Sequence, residues 1–117
     1  MSRVYVTTSW DDGYRLDARL AGLLEKHGLQ ATFYIAPRNR ELAVRDRLAP
    51  SNGRQLGHAF EVGAHTMTHR SLTELRRDEA FAEIGAGKRL LEHVIGSPVT
   101  SFSYPHGRHG GPPGGVT

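Results

Sequence analysis

Phe60-Glu61-Val62-Gly63-Ala64-His65-Thr66-Met67-Thr68-His69 is the stretch on which the fold turns. Its first five residues read as a short strand, and that strand runs directly into two histidines four positions apart. Both imidazoles therefore stand at a strand's C-terminal end. Working outward, the pattern recurs on either side. Upstream, Arg3 to Ser9 reads as a first strand, because Val4, Tyr5, Val6 and two Thr favour extended backbone and a turn-like Asp11-Asp12-Gly13 closes the run. Downstream, Val99 to Tyr104 reads as a fourth strand leading into Pro105-His106-Gly107.

The segments between them carry helix signals. Leu16, Leu20, Leu23 and Leu24 repeat at helical spacing, with Asp17 in the first turn, Lys26 and His27 in the last, and Gly28 as the stop. Ala31 to Ile35 is a second strand closed by Pro37, and the polar stretch to Pro50 is a loop or a weak helix. Ser51 caps a short helix ending near Gly57, and Ser71 with Glu74 matches a capping box. Asp78 opens a longer helix up to Gly96, its face formed by Phe81, Ile84, Leu91, Val94 and Ile95; Gly85 and Gly87 weaken it by about 1 kcal/mol each. Strands alternating with helices imply a parallel α/β sheet with right-handed crossovers, and in such sheets the active site gathers at the C-terminal strand ends. Asp11-Asp12, His65/His69 and Pro105-His106-Gly107 all fall there.

The chain has 117 residues, 38% of them hydrophobic, which suits one globular unit. It has no cysteine, so a disulfide framework, a thiolate metal site and a cysteine nucleophile are excluded, and any metal must be held by His and carboxylates. The start, Met1-Ser2-Arg3-Val4-Tyr5-Val6-Thr7, lacks an apolar signal region, and no stretch approaches the ~18 apolar residues of a membrane span. A cytoplasmic location without membrane association is expected. The net charge of +3 comes from 15 basic residues dispersed among 12 acidic ones. Arg38, Arg40, Arg45 and Arg47 form the nearest approach to a basic cluster, but Glu41 and Asp46 interrupt it, so a solvated face explains it better than a nucleic-acid patch.

Two histidines four apart can reach one ion, and a carboxylate from another strand end completes a 2-His-1-carboxylate set with positions left for water. Asp12 is the obvious third ligand. The pattern differs from the zinc-protease helix motif, which needs Glu where this chain has Thr66. Taken singly, each histidine reads as an ordinary polar residue and Asp11-Asp12-Gly13 as a turn that satisfies its own backbone donors. Together at neighbouring strand ends they read as a site. Adjacent residues on an extended chain point in different directions, so one aspartate can bind metal while the other acts as a base.

Thr8-Ser9-Trp10-Asp11-Asp12-Gly13, His65-Thr66-Met67-Thr68-His69 and Ser103-Tyr104-Pro105-His106-Gly107 resemble, in order and spacing, the first three motifs of the polysaccharide deacetylase family. This is the NodB-homology domain of carbohydrate esterase family four. The resemblance runs from Val4 to Arg108. It implies a distorted (β/α) barrel, here an incomplete half barrel of about four parallel strands with flanking helices, and hydrolysis of N- or O-acetyl groups from carbohydrate. It implies Asp11 as general base, Asp12, His65 and His69 as ligands of a divalent metal, usually zinc, and the backbone N–H of His106 as oxyanion donor. The family's third motif usually begins with an Arg that orients the catalytic Asp, where this chain has Ser103.

The resemblance places residues 1–108 in the N-terminal part of the deacetylase domain. Residues 109–117 are expected to form a disordered tail: Gly107 to Thr117 holds five Gly and two Pro, as out-of-frame translation of GC-rich DNA would produce. The family's later motifs, which supply an acetate pocket and a general acid, lie beyond Thr117, so turnover is expected to be impaired. The alternative is a non-catalytic metal-binding module of the same fold. The expected partner is an acetylated oligo- or polysaccharide, with no nucleic acid; a basic binding protein for anionic polymers is the weakest reading. Four strands cannot close a barrel, so Val99 and Phe102 are expected to be left exposed, and an open sheet edge is expected to self-associate.

Overall fold

The computed structural model describes residues 2–110, which form an open three-stranded parallel sheet with three helices packed on one face. The strands are β1 (Ser9–Asp12), β2 (Thr32–Ile35) and β3 (Glu61–Ala64), in the order β1-β2-β3. Ser9 pairs with Thr32 and Asp12 with Ile35; Thr32 pairs with Glu61 and Ile35 with Ala64. The helices are α1 (Asp17–Lys26), α2 (Pro50–Ala59) and α3 (Arg77–Ile95). Alternation along β2 and β3 points Phe33, Ile35, Val62 and Ala64 to the same side. There they join Leu24 of α1, Leu56 of α2, and Leu91 and Ile95 of α3 in one buried core. α2 opens on Pro50, whose fixed φ suits the first helical position. α3 begins where Glu79 accepts the Arg76 N–H (3.0 Å), with its cap at Arg76 rather than at the predicted Asp78, and ends on Gly96 in the left-handed conformation.

Several expectations need correction. The first strand is Ser9–Asp12, not Arg3 to Ser9, so the two aspartates lie inside the strand rather than in a turn after it. β propensity did not decide this; the partner did. Following the register back, residues 4–7 would lie opposite 27–30, where the chain is still leaving α1 through Gly28 (φ 66°). Val4, Tyr5 and Val6 are consequently exposed. The fourth strand is reduced to one parallel bridge, Phe102 to Ala64, held by Ala64 N–H to Ser101 O (2.8 Å) and Ser103 N–H to Ala64 O (2.9 Å). The sheet therefore has three strands rather than four. Val99 and Phe102 are not exposed: Val99 is a core residue and Phe102 packs against the core. Glu92 at the end of α3 accepts the Val99 N–H (2.9 Å) and turns the chain back onto the sheet. Ser71 and Glu74 bound a single 3₁₀ turn, Leu72–Glu74, without a side-chain cap. Phe81 and Ile84 lie on the exposed side of α3, not in the core. Most of the expected tail, residues 111–117, lies outside the described residues.

Candidate metal centre

Asp12 ends β1, His65 follows β3 directly, and His69 comes one tight turn later. Asp12 Oδ1 lies 3.3 Å from His65 Nε2 and 2.9 Å from His69 Nε2. The ligand atoms of the three residues all fall within 4.8 Å of one another. Both histidines are buried, whereas the Asp12 side chain is about half-exposed. The backbone is under tension here. Asp12 (φ 88°), Thr66 (65°), His69 (68°) and His106 (60°) are the non-glycine residues with left-handed φ among the described residues, and all lie in or beside this cluster. Each such residue costs about 1–3 kcal/mol and persists where the surroundings over-determine it.

Those surroundings are built from two sides. Within the turn, Thr66 Oγ1 accepts the His69 N–H (3.0 Å). From α3, Glu83 accepts the N–H groups of Met67 and Thr68 (both 3.0 Å) and the Thr68 hydroxyl. Gly87, one turn further along α3, lies so close that a Cβ there would stand 2.6 Å from the carbonyl carbon of Thr66. From the loop after β2, the Arg38 and Arg40 N–H groups donate to the carbonyls of Met67 (2.8 Å) and Thr68 (3.0 Å). Buried Asn39 donates to the Asp12 carbonyl (3.1 Å) and accepts the Glu41 N–H (2.9 Å).

The donor set fits a divalent cation. His65 Nδ1 lies 2.7 Å from the Ser103 carbonyl, an acceptor only, so the Nδ1 carries the proton and Nε2 presents a lone pair. That lone pair faces the Asp12 carboxylate, acceptor against acceptor, which a cation between them resolves. Ligands about 2.0–2.2 Å from a tetrahedral ion stand roughly 3.3–3.6 Å apart; the Asp12–His65 separation of 3.3 Å matches this and the Asp12–His69 separation of 2.9 Å is shorter. The cluster can therefore hold a divalent metal.

The two predicted catalytic residues are placed differently. Asp11 is exposed and outside the cluster, with no ion pair to a basic side chain among the described residues. His106 lies in a 3₁₀ turn, Pro105–Gly107, with its ring 4.7 Å from that of His69 and its Nε2 2.9 Å from Glu41 Oε1. Glu41 Oε1 also lies 3.2 Å from His69 Nδ1, although that buried nitrogen lacks the alignment of a hydrogen bond. Desolvation pushes the Glu41 carboxyl up, but the close polar contacts and charge of the His69 and His106 rings outweigh it and hold the group below the ordinary carboxylate range. At the start of α1, burial and then the nearby charge of Asp12 raise the Asp17 carboxyl to about 6. Glu41 and His106 border a cleft of about 500 Å³ that also takes in His69, Arg40, Arg70 and Arg108.

Asn39, Glu41 and Glu83 escaped the sequence reading. Asn39 and Glu41 follow the C-terminal end of β2, so the strand-end rule that located the other residues could have found them. Glu83 left no such signal, since its role depends on how α3 lies across the turn.

The family model described as Polysaccharide deacetylase matches residues 1–111. Among solved structures, the chain is similar to the peptidoglycan deacetylase PdaC from Bacillus subtilis, at 27% identity and a TM-score of 0.71, covering 90% of this chain and 51% of that one. It is also similar to a polysaccharide deacetylase from Bacillus cereus, at 25% identity and a TM-score of 0.74, covering 87% and 33%. The Streptococcus pyogenes deacetylase PplD, solved in complex with acetate, shares the fold at 19% identity and a TM-score of 0.79, covering 87% and 46%. The chain thus spans about a third to a half of the length of these relatives. No curated protein matches it.

Proposed function

Because the chain belongs to the polysaccharide deacetylase family, we propose that it provides the metal-holding half of a hydrolase that removes N- or O-linked acetyl groups from carbohydrate. The observation that carries this reading is the convergence of Asp12, His65 and His69, with His65 locked in the tautomer a ligand needs. In this reading the three side chains bind a divalent cation, zinc by analogy with the family. When bound, such an ion polarises an acyl carbonyl and acidifies water. Asp11, one strand position before Asp12, takes the proton of the attacking water, and its exposure gives solvent and substrate access. The backbone N–H of His106 donates to the acyl oxygen as charge develops there. Acetylated oligo- or polysaccharide is the substrate class, and nucleic acid is not a partner. Residues 1–108 are the unit that carries these functions.

A second reading, a metal-binding module without turnover, draws support from Asp11 itself. The family's usual Arg partner is replaced by Ser103, and no other basic side chain pairs with Asp11 among the described residues. Zinc stoichiometry and acetate release from acetylated chito-oligosaccharides separate the two. One zinc per chain, lost in His65→Ala and His69→Ala, is expected. Uptake unchanged in both variants overturns the metal assignment, and zinc uptake without acetate release selects the module.

A further inference from the structure

We infer that Glu41 is a positioning residue of the metal centre: its carboxylate receives the Nδ1–H of His69 and so aims His69 Nε2 at the cation. This inference rests on the reading that Asp12, His65 and His69 hold that cation. A neutral imidazole that ligates through Nε2 carries its proton on Nδ1, and ligating histidines hand that proton to a carboxylate, a backbone carbonyl or water. His65 gives it to the Ser103 carbonyl. His69 Nδ1 is buried and without an aligned hydrogen bond, and Glu41 Oε1 stands 3.2 Å from it. Glu41 is half-exposed, so its carboxylate has room to turn toward that nitrogen.

Its backbone is already tied to the site. The Glu41 N–H donates to Asn39, whose amide donates to the Asp12 carbonyl, so the ligand strand and the outer carboxylate form one connected frame. The same carboxylate oxygen lies 2.9 Å from His106 Nε2, which keeps the 105–107 turn against His69. Glu41, His69 and His106 could also be read as ligands of a second ion. That would require His69 to ligate through both nitrogens at once, which a neutral imidazole, with its one ring proton, cannot do.

The test is zinc affinity of the full chain, measured by competition with a chromophoric chelator, for wild type, Glu41→Ala, Glu41→Gln and His106→Ala. Glu41→Ala is expected to weaken zinc ~10–100-fold, as loss of an outer-shell partner does. Glu41→Gln, which keeps a neutral acceptor, should fall between it and wild type. In the zinc-bound protein the His69 Nδ1–H, followed by NMR, should exchange faster with water in Glu41→Ala, while unfolding of the metal-free chain is unaltered. An affinity within about 3-fold of wild type in Glu41→Ala overturns the inference. So do two zinc ions per chain falling to one in both Glu41→Ala and His106→Ala. A wild-type chain that takes up no zinc overturns the metal reading as well.

Discussion

Replacing Gly87 by alanine sets two terms of opposite sign against each other. Alanine is favoured over glycine in a helix interior by about 0.8–1.0 kcal/mol, so on propensity alone Gly87→Ala should stabilise α3. Its Cβ, however, would stand 2.6 Å from the carbonyl carbon of Thr66 and 2.8 Å from both Thr66 O and Met67 N. Carbon–carbon contacts settle near 3.5–4.0 Å, so α3 or the His65–His69 turn must retreat by about 1 Å. Backbone cannot swing aside as a side chain can, and overpacking of this kind costs about 1–3 kcal/mol. The net expectation is a loss of about 1 kcal/mol, within a range of about 0–2, accompanied by at least ~10-fold weaker zinc binding, because the displaced turn carries both histidines. Gly85, two residues earlier in α3, is the internal control. A Cβ there meets the mobile Nη1 of Arg89 at 3.0 Å, so Gly85→Ala should keep most of the helix gain, about 0.5–1 kcal/mol. Urea unfolding of the metal-free chain should therefore separate the two variants by about 2 kcal/mol, near 1 M in midpoint for a typical slope. If Gly87→Ala proves as stable as Gly85→Ala and binds zinc as wild type does, the close approach of α3 to the metal turn is refuted.

Asp17 links stability to pH. Its carboxyl is raised from about 3.8 to about 6 in the folded chain, so between those values the folded state holds a proton that the unfolded state has released. Stability falls as pH rises through that window, and the penalty is complete above it. Asp17→Asn should stabilise by about 1–2 kcal/mol near pH 7.5, less than the full shift because the buried amide still loses its hydration, and by almost nothing near pH 4. An equal gain at both pH values would rule out this linkage. Asp11→Asn should retain zinc and, where acetate release is measurable, lower it ~10²–10⁴-fold; loss of zinc instead would mean that the two aspartates exchange roles. Val4, Tyr5 and Val6 lie exposed beside β1, itself an edge strand, so the chain should self-associate and Val6→Lys should weaken that association in sedimentation. A wild-type chain that stays monomeric at all concentrations contradicts this.

What the sequence determined by itself lay in a few short-range patterns. The leucines from Leu16 to Leu24 marked α1, Gly96 marked the end of α3, and the fusion of Phe60–Ala64 with His65 and His69 put two imidazoles at a strand end. Parallel topology then brought Asp12 to the same end as those histidines, since parallel strands share one C-terminal edge. What only the tertiary structure decided depended on partners distant in the chain. Val4 to Val6 have every local preference for a strand, yet pairing begins at Ser9 because the residues they would face belong to the exit of α1. Val99 to Tyr104 look equally extended, but pair with β3 only at Phe102. Glu83, Asn39 and Gly87 sit at unremarkable positions in the sequence. Glu83 and Gly87 hold the His65–His69 turn and Asn39 ties down Asp12 through contacts 15 to 27 residues away along the chain, which no local periodicity encodes.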